Sequence, residues 1–396
     1  MTVHDSVVIV SATRTPLGRF QGALSAIAAP ELGSQVIRSA LQRANLAPER
    51  VDEVLFGCVL PAGQGQAPAR QAARGAGLPD AVGATTVNKV CGSGMKATML
   101  AHDLILAGSA EIAVSGGMES MSNAPYLLAK ARGGYRVGHD RIYDHMMLDG
   151  LEDAYEKGRS MGDFGEAAAQ AYQFNRDDQD AYAVETLTRA RRAIDRRHFA
   201  AEITPVPVVG KGGETLIEDD EHPLKVSPEK IPTLKPAFRP DGTITAASAS
   251  ANADGAAALV LTRRSVAERE GLPILAEIRA HATHSQAPEW YTTAPIPAIR
   301  KVLEKTGWTV GDVDLFEINE AFAVVAMAAA RDLGIDRDRL NINGGACALG
   351  HPIGATGARL IVTLLHALQH QGLKKGVAAL CIGGGEATAI SIERVE

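Results

Sequence analysis

The feature that most constrains the fold is a run of helix, short loop, strand and double glycine that occurs twice. Its two copies are Gly92–Lys96, Glu111–Ser115 and Gly116-Gly117, then Gly354–Arg359, Val377–Ile382 and Gly383-Gly384. Two duplicated α/β halves that meet face to face would explain this pattern, and a site would then lie at their junction. The alternative is that helix–strand units look alike without any duplication.

Apolar runs alternate with helical segments along the chain, which is the pattern of an α/β protein. The pattern predicts strands at Val7–Val10, Val54–Val59, Ile112–Ser115 and Asp314–Asn319, and helices at Ser93–Ala107, Asp177–Arg197 and Glu320–Leu333. Because Ser93–Ala107 is apolar on nearly every face, we expect that helix to be central.

The amino-acid composition changes between the two copies of the pattern. Residues 120–247 are richer in charge, proline and tyrosine, and Gly210–Pro240 is typical of an irregular surface loop. Ser248–Leu261 returns to small residues and a buried strand. We therefore expect an N-terminal half at 1–120 that continues at 248–270, an inserted loop domain at 121–247, and a C-terminal half at 271–396.

Composition excludes several classes of function. The net charge of −6 and an aromatic content of 4% disfavour nucleic-acid binding and base stacking. The four cysteines do not make a disulfide framework, and no spacing of cysteine and histidine resembles a zinc site, so no metal is expected. The chain opens on a polar run and then Val7–Val10, which is not a secretory leader, and no apolar run reaches membrane-spanning length. We expect a cytoplasmic enzyme in a reducing compartment.

Cys91 and His351 lie on turns bracketed by glycine. Cys91 follows a strand-like run and precedes a helix, where the positive end of the helix dipole favours a thiolate. His351 lies between Gly350 and Pro352 at a glycine-rich helix entry, which suits a general base for a thiol. Taken singly, each residue also fits a purely structural role, as a buried cysteine or a core histidine.

A second thiol and an asparagine complete the set. Cys381 ends an apolar strand and precedes Gly383–Gly385, with Gly383 among backbone N–H groups that could form an oxyanion hole. Asn319 ends another strand and could be no more than a helix N-cap. Cys58 and Cys347 are interpreted as structural. No glycine run matches the dinucleotide-binding fingerprint, so a nicotinamide cofactor is not expected.

The four motifs that hold these residues, in order along the chain, resemble the thiolase family, most closely its acetyl-specific members. The likeness extends to Arg14-Thr15-Pro16, Gly116–Ser122, Lys235–Phe238 and Asp254–Ala257. The resemblance implies a duplicated five-layered αβαβα fold with an inserted loop domain. It also implies a dimer, often paired into a tetramer, for which the loop with Arg132, Arg136 and Arg141 is the matching segment.

The resemblance also implies roles for individual residues. Cys91 would carry the acyl group, His351 would activate it, Cys381 would act as acid and base, and Asn319 would position a water. Ser250 would lie beside the pantetheine arm of coenzyme A, and Met161 and Phe322 are expected at the same site.

Two departures from the family's pattern concern the pocket. Ser160 stands where many short-chain members have histidine, and the loop at Pro223-Leu224 lacks an arginine that is often found there.

The reaction implied is reversible condensation of two acetyl-CoA to acetoacetyl-CoA and coenzyme A, with no tightly bound cofactor. The alternatives are a thiolase of broad chain length, a decarboxylating condensing enzyme of similar fold, and a non-catalytic acyl-CoA- or lipid-binding protein. A decarboxylating enzyme has no need of a second thiol, and a binding protein would be expected to lose one of the reactive groups.

Overall fold

A computed structural model describes residues 5–210 and 212–395, so part of the opening polar run lies outside the described residues. The strands are β1 (Val7–Arg14), β2 (Gly18–Arg19), β3 (Glu53–Gly57), β4 (Gly83–Val87), β5 (Ile112–Ser120), β6 (Tyr126–Leu127), β7 (Tyr143–Asp144), β8 (Val206–Gly210), β9 (Gly213–Ile217), β10 (Ala253–Arg263), β11 (Ala276–Ser285), β12 (Leu315–Ile318), β13 (Lys375–Ile382) and β14 (Glu386–Arg394). The helices are α1 (Ala29–Ala44), α2 (Pro68–Gly75), α3 (Ser93–Ala107), α4 (Met161–Tyr172), α5 (Arg176–Asp195), α6 (Glu221–Lys225), α7 (Arg264–Glu270), α8 (Pro295–Thr306), α9 (Ala323–Leu333), α10 (Ala346–Leu349) and α11 (Thr356–Gln371).

Ten strands form one mixed sheet in the order β12-β13-β14-β11-β1-β10-β5-β3-β4, with β2 paired to β10. In the first half β3 runs parallel to both β4 and β5, while β10 is antiparallel to β5 and β1. The second half repeats this with β12 parallel to β13, and β14 antiparallel to β13 and β11. The halves join where Val8 and Ile9 of β1 pair with Glu277 and Ala276 of β11.

Alternating side chains on these strands build three apolar cores. In β3, Val54 and Phe56 pack with α1 and α2, whereas Leu55 faces the central helices α3 and α11. In β13, Ala378 and Leu380 face the same central helices, whereas Val377 packs with α8 and α9. The result is five layers of helix, strand, helix, strand and helix, and the central position predicted for Ser93–Ala107 is confirmed.

Glycine allows close approach where the two halves meet. A Cβ atom on Gly57 or Gly117 would lie 2.5 or 2.1 Å from the carbonyl oxygen of Gly354. Because such a contact is shorter than any van der Waals distance, side chains at these two positions would push the Gly354 loop away from the strands of the first half.

Each of the predicted strands and helices is present and of the predicted type, with differences at its ends. Ser93–Ala107 has the predicted bounds. The helix predicted over Glu320–Leu333 begins only at Ala323, because residues 319–322 form the turn that leaves β12. The two copies of the pattern differ in one respect, since Gly116 and Gly117 lie inside β5 whereas β13 ends before Gly383.

The prediction of an irregular loop over Gly210–Pro240 is partly wrong. It contains β9, which pairs with β8, and the short helix α6. Asp220 is fully buried and accepts hydrogen bonds at 2.7 and 2.9 Å from the two terminal nitrogens of Arg14 on β1. Because Arg14 and Asp220 are 206 residues apart, no local pattern in the sequence predicts this ion pair. The ion pair fixes the segment to the first half.

Among the described residues, the segment between β5 and β10 contributes no strand to the ten-stranded sheet. It carries the small β6–β7 and β8–β9 sheets and helices α4 to α6. The boundary of the inserted loop domain at 121 and 247 stays a prediction. Within the part of the chain that the structure describes, no helix is long and apolar enough to cross a membrane.

Candidate active site

Cys91 lies on a strained turn between β4 and α3. Val90 has φ of 46°, a left-handed conformation that is rare for a β-branched residue. The turn is held by Ser93, whose Oγ donates to the Val90 carbonyl at 2.6 Å and accepts from the Lys89 N–H at 2.8 Å. Since the surrounding bonds determine this backbone, the strain fixes where the Cys91 thiol points.

The pKa of the Cys91 thiol is raised to about 11, mainly by burial. Hydrogen bonds from the backbone N–H groups of Gly383 and Cys91 itself lower it, but less strongly. Desolvation therefore outweighs the donors at the helix end, which act in the expected direction. The thiol needs a base before it can act as a nucleophile.

His351 has a defined tautomer. Its Nδ1 lies 2.6 Å from Thr356 Oγ1, and that hydroxyl donates its own hydrogen to the Pro352 carbonyl at 2.9 Å. Thr356 therefore accepts from Nδ1–H, which leaves Nε2 without a proton. The amide nitrogen of Asn319 lies 3.4 Å from Nε2 and donates to it. An unprotonated ring nitrogen that can exchange this long contact for the proton of a thiol is what a general base requires.

Burial also keeps this imidazole neutral. The His351 side chain is almost wholly buried, and desolvation, with a smaller contribution from the Arg359 charge, lowers its pKa to about 3. Thiol and imidazole are thus both uncharged at neutral pH. Transfer of the proton from the thiol to His351 has to be stabilised by the attraction between the two charges that it creates and by N–H donors nearby.

Asn319 is not a helix N-cap, because α9 begins four residues later and its N-cap is Phe322. The Asn319 side chain is fully buried, and its Oδ1 has no hydrogen-bond partner among residues 5–210 and 212–395. A buried acceptor without a partner is rare and marks a place for a water or a ligand. Asn319 therefore has one amide atom on His351 and the other available to a second polar group.

Cys381 and Gly383 of the second half lie beside Cys91 of the first half. Burial and, next, the neighbouring Cys91 raise the pKa of the Cys381 thiol well above its ordinary value. Tyr291 lies close enough to both thiols that they raise its own pKa, after burial, and its hydroxyl donates to the Met161 carbonyl at 3.0 Å. The two thiols thus share one water-poor site.

An apolar cavity of about 500 Å³ lies next to this site. The three residues predicted for coenzyme A, Ser250, Met161 and Phe322, all line it, and so does Ser160, one of the departures from the family's pattern. The thiols do not line the cavity, but Met161 connects it to them, because its sulfur lies 3.1 Å from where a Cβ atom of Gly383 would be. The cavity is large enough for the arm of an extended thioester.

Three residues near the site carried no motif-based prediction. Thr356 fixes the His351 tautomer, Tyr291 contacts the thiol pocket, and His222 lines the cavity. Glu119 lies in a motif of the resemblance without an assigned role. It is fully buried and accepts hydrogen bonds from the N–H groups of Val59, Leu60 and Gly354 at 2.9 to 3.1 Å.

The other two cysteines lie in structural positions. Cys58 is buried and its sulfur contacts Glu119 at 3.7 Å. Cys347 is buried and donates to the carbonyls of Ser248 and Glu320 at 3.5 and 3.6 Å.

Two thiols, one neutral imidazole with an unprotonated nitrogen and an adjoining apolar cavity are typical of an acyl-transfer enzyme. Here they lie on a duplicated α/β fold. Sequence models of the thiolase N-terminal and C-terminal domains match residues 7–265 and 272–394. The chain therefore belongs to the thiolase family. The predicted membership and the duplicated α/β fold are both confirmed.

Curated relatives match over the full length. A probable acetyl-CoA acetyltransferase of Dictyostelium discoideum is 49% identical over 392 residues, which cover 99% of this chain and 94% of the relative. The acetyl-CoA acetyltransferase of Pseudomonas aeruginosa is also 49% identical, over 98% of this chain and all of its own. The crystal structure of the Bacillus anthracis acetyl-CoA acetyltransferase has a TM-score of 0.96 to this chain, with 41% identity and 99% of each chain covered.

Proposed function

We propose that this chain catalyses reversible condensation of two acetyl-CoA molecules to acetoacetyl-CoA and coenzyme A. The observation that carries the proposal is that Cys91 neighbours Cys381 and packs against the cluster that contains Ile353, two residues after the neutral His351. The names of the full-length relatives support the acetyl substrate.

In the first half-reaction His351 takes the proton of Cys91, and the thiolate attacks the carbonyl carbon of an acyl-CoA thioester. The oxyanion that forms is stabilised by the N–H groups of Cys91 and Gly383, which in the resting site are directed at the Cys91 sulfur. The tetrahedral intermediate then collapses, and the thiolate of coenzyme A leaves with the proton of Cys381. Cys91 now carries the acyl group, Cys381 is a thiolate, and His351 keeps the proton that it took from Cys91.

In the second half-reaction Cys381 removes a proton from the methyl group of a second acetyl-CoA. The enolate oxygen is held by His351 and by a water on Asn319, whose unpartnered Oδ1 could accept from that water. Attack of the enolate carbon on acetyl-Cys91 forms the new carbon–carbon bond and breaks the Cys91 thioester. The released Cys91 thiolate takes back the proton held by His351. The need for a second thiol separates this chemistry from decarboxylating condensation.

Ser250, Met161 and Phe322 are proposed to contact the pantetheine arm of the acyl-CoA substrates. Their common position on the cavity wall supports this. No tightly bound cofactor is proposed for the reaction.

One experiment with two variants tests both halves. The Cys91→Ser variant is expected to take up no label from radioactive acetyl-CoA, whereas the Cys381→Ala variant is still labelled. Conversely, exchange of the acetyl-CoA methyl protons with solvent, without malonyl-CoA, is expected to be lost in Cys381→Ala. Normal acetyl uptake by Cys91→Ser would contradict the assignment of the nucleophile, and normal exchange by Cys381→Ala would contradict that of the base.

Chain length is tested by thiolysis rates across 3-ketoacyl-CoAs of increasing length. We propose acetoacetyl-CoA as the preferred substrate, with some tolerance of longer chains because Ser160 is small. Each further buried CH₂ would add about 0.8 kcal/mol of binding free energy. A kcat/KM that rises steadily to ten carbons would favour a thiolase of broad chain length instead.

We also propose that the enzyme is a homo-oligomer of the cytoplasm. The loop that carries Arg132, Arg136 and Arg141 also exposes Val137 and Ile142, which supports contact with further copies of the chain. Four free cysteines are consistent with a reducing compartment.

A further inference from the structure

Three side chains that can ligate a metal meet far from the thiols. His102 and Asp103 lie on α3, and His281 lies on β11 of the other half. All three belong to one group whose ligand atoms lie within 4.8 Å of one another. His102 is nine residues beyond the first residue of α3, which places it about 14 Å along the helix from the Cys91 end.

The three ligand atoms form a small triangle. Asp103 Oδ1 lies 3.0 Å from His102 Nδ1 and 2.9 Å from His281 Nε2, and the two nitrogens are 3.3 Å apart. With bonds of about 2.1 Å to a zinc-like ion, neighbouring ligands are about 2.9 Å apart in an octahedron and about 3.4 Å apart in a tetrahedron. The edges of the triangle fall in this range, so one ion can contact all three atoms with little movement.

Hydrogen bonds use only two of the three contacts in this triangle. If both imidazoles donate to Asp103 Oδ1, the 3.3 Å contact between the two nitrogens carries no hydrogen bond. A cation at the centre would use a lone pair from each of the three atoms.

The site is partly enclosed by the two halves. Both histidines are half-buried, and the rings meet edge to face with centroids 4.9 Å apart. Packing of this kind limits the movement of both imidazoles, which favours a metal site whose ligands are already in place.

We propose that His102, Asp103 and His281 form a binding site for one divalent transition-metal ion such as Zn²⁺, which cross-links α3 of the first half to β11 of the second. Two imidazoles and one carboxylate select ions that accept nitrogen and oxygen ligands, and water completes the coordination because Asp103 is exposed. The role is structural, since the site lies away from the thiols.

Calorimetric titration of Zn²⁺ into enzyme freed of metal with a chelator tests the site. Wild-type enzyme is expected to bind one ion per chain, and His281→Ala and Asp103→Asn are expected to bind at least about 100-fold more weakly, because loss of even an outer-sphere partner weakens a metal site 10- to 100-fold. The matched control is His370→Ala. His370 stacks on His198 with centroids 4.2 Å apart, but these two belong to no metal-ligating group within the described chain.

The spectrum of bound cobalt(II) distinguishes metal at this site from metal at the thiols. The thiols are unchanged in every variant. The expected spectrum has weak visible bands that disappear in His281→Ala, without the near-ultraviolet charge-transfer band of a thiolate ligand. If His281→Ala fails to fold, His102→Ala gives the same reading from the surface of α3. No binding by the wild-type enzyme, or equal binding by His281→Ala or its His102→Ala substitute, overturns the proposal.

Discussion

Replacement of Glu119 by glutamine is expected to destabilise the enzyme more at pH 5 than at pH 8. Burial raises the pKa of this carboxyl from 4.5 to about 7, although hydrogen bonds from three backbone N–H groups lower it. One of these donors is Gly354, in the loop that carries His351. Protonation of the Glu119 carboxyl therefore affects the hydrogen bond that holds the loop of His351, the proposed base.

The magnitude follows from linkage. Between pH 4.5 and 7 the folded state holds a proton on Glu119 that the unfolded state has released, so the free energy of unfolding falls as the pH rises. With these two pKa values the loss between pH 5 and pH 8 is about 2.5 kcal/mol. Glutamine does not titrate. The glutamine side chain also has an NH₂ group in place of one carboxylate oxygen, so a donor faces a backbone N–H group. This loss of an acceptor lowers the free energy of unfolding by about 1–3 kcal/mol at either pH.

The assay is urea unfolding of wild type and Glu119→Gln at both pH values, at one protein concentration because association would shift the midpoints. The difference in unfolding free energy between them should shrink by about 2.5 kcal/mol from pH 5 to pH 8. Glu49→Gln, at an exposed position, serves as the control for general charge effects. A difference that is the same at both pH values would refute the reasoning.

Two further predictions concern the His351 loop. Thr356→Val should lower kcat by about 100-fold, because His351 loses the acceptor that keeps its proton on Nδ1. Thr356→Ser retains the hydroxyl and should keep most of the activity. Equal rates for the two variants would contradict the assignment of the tautomer. Gly117→Ala should lower the unfolding free energy by about 1–3 kcal/mol or more, since the added Cβ would lie 2.1 Å from the Gly354 carbonyl. Gly133→Ala, where nothing lies within 4 Å of the new atom, should leave the thermal midpoint unchanged, and equal midpoints for the two variants would exclude the clash.

Much of the fold could be predicted from local patterns. The apolar period of Ser93–Ala107 gave the bounds of α3, and the alternation of Val54 and Leu55 between two cores was implicit in a buried strand. The ends of elements were harder, because the turn at residues 319–322 has the same composition as a helix start. Gly210–Pro240 was misjudged, since its order depends on the buried contact of Asp220 with Arg14.

The candidate site was predictable where glycine marks a turn and not elsewhere. Cys91, His351 and Cys381 stand out because glycines surround them. Neither Thr356 nor Tyr291 has such a mark, since only folding brings them to the imidazole and the thiols. The same applies to His281, whose distance of 178 residues from Asp103 excludes any motif of metal ligands. Neither could the sequence predict that burial would raise the Cys91 pKa against the helix dipole.

Within the sheet, β1 and β11 join the two halves through two residue pairs, and each half supplies one of the two thiols. A chain half as long would hold either the nucleophile or the second thiol, never both. Such a precursor could assemble the site only by pairing with another copy, and the β1–β11 contact would then have been a contact between subunits. After fusion of the two copies, the halves could diverge in sequence, so that Cys91 of one half carries the acyl group and Cys381 of the other transfers protons. Two identical subunits cannot diverge in this way, because one gene encodes both.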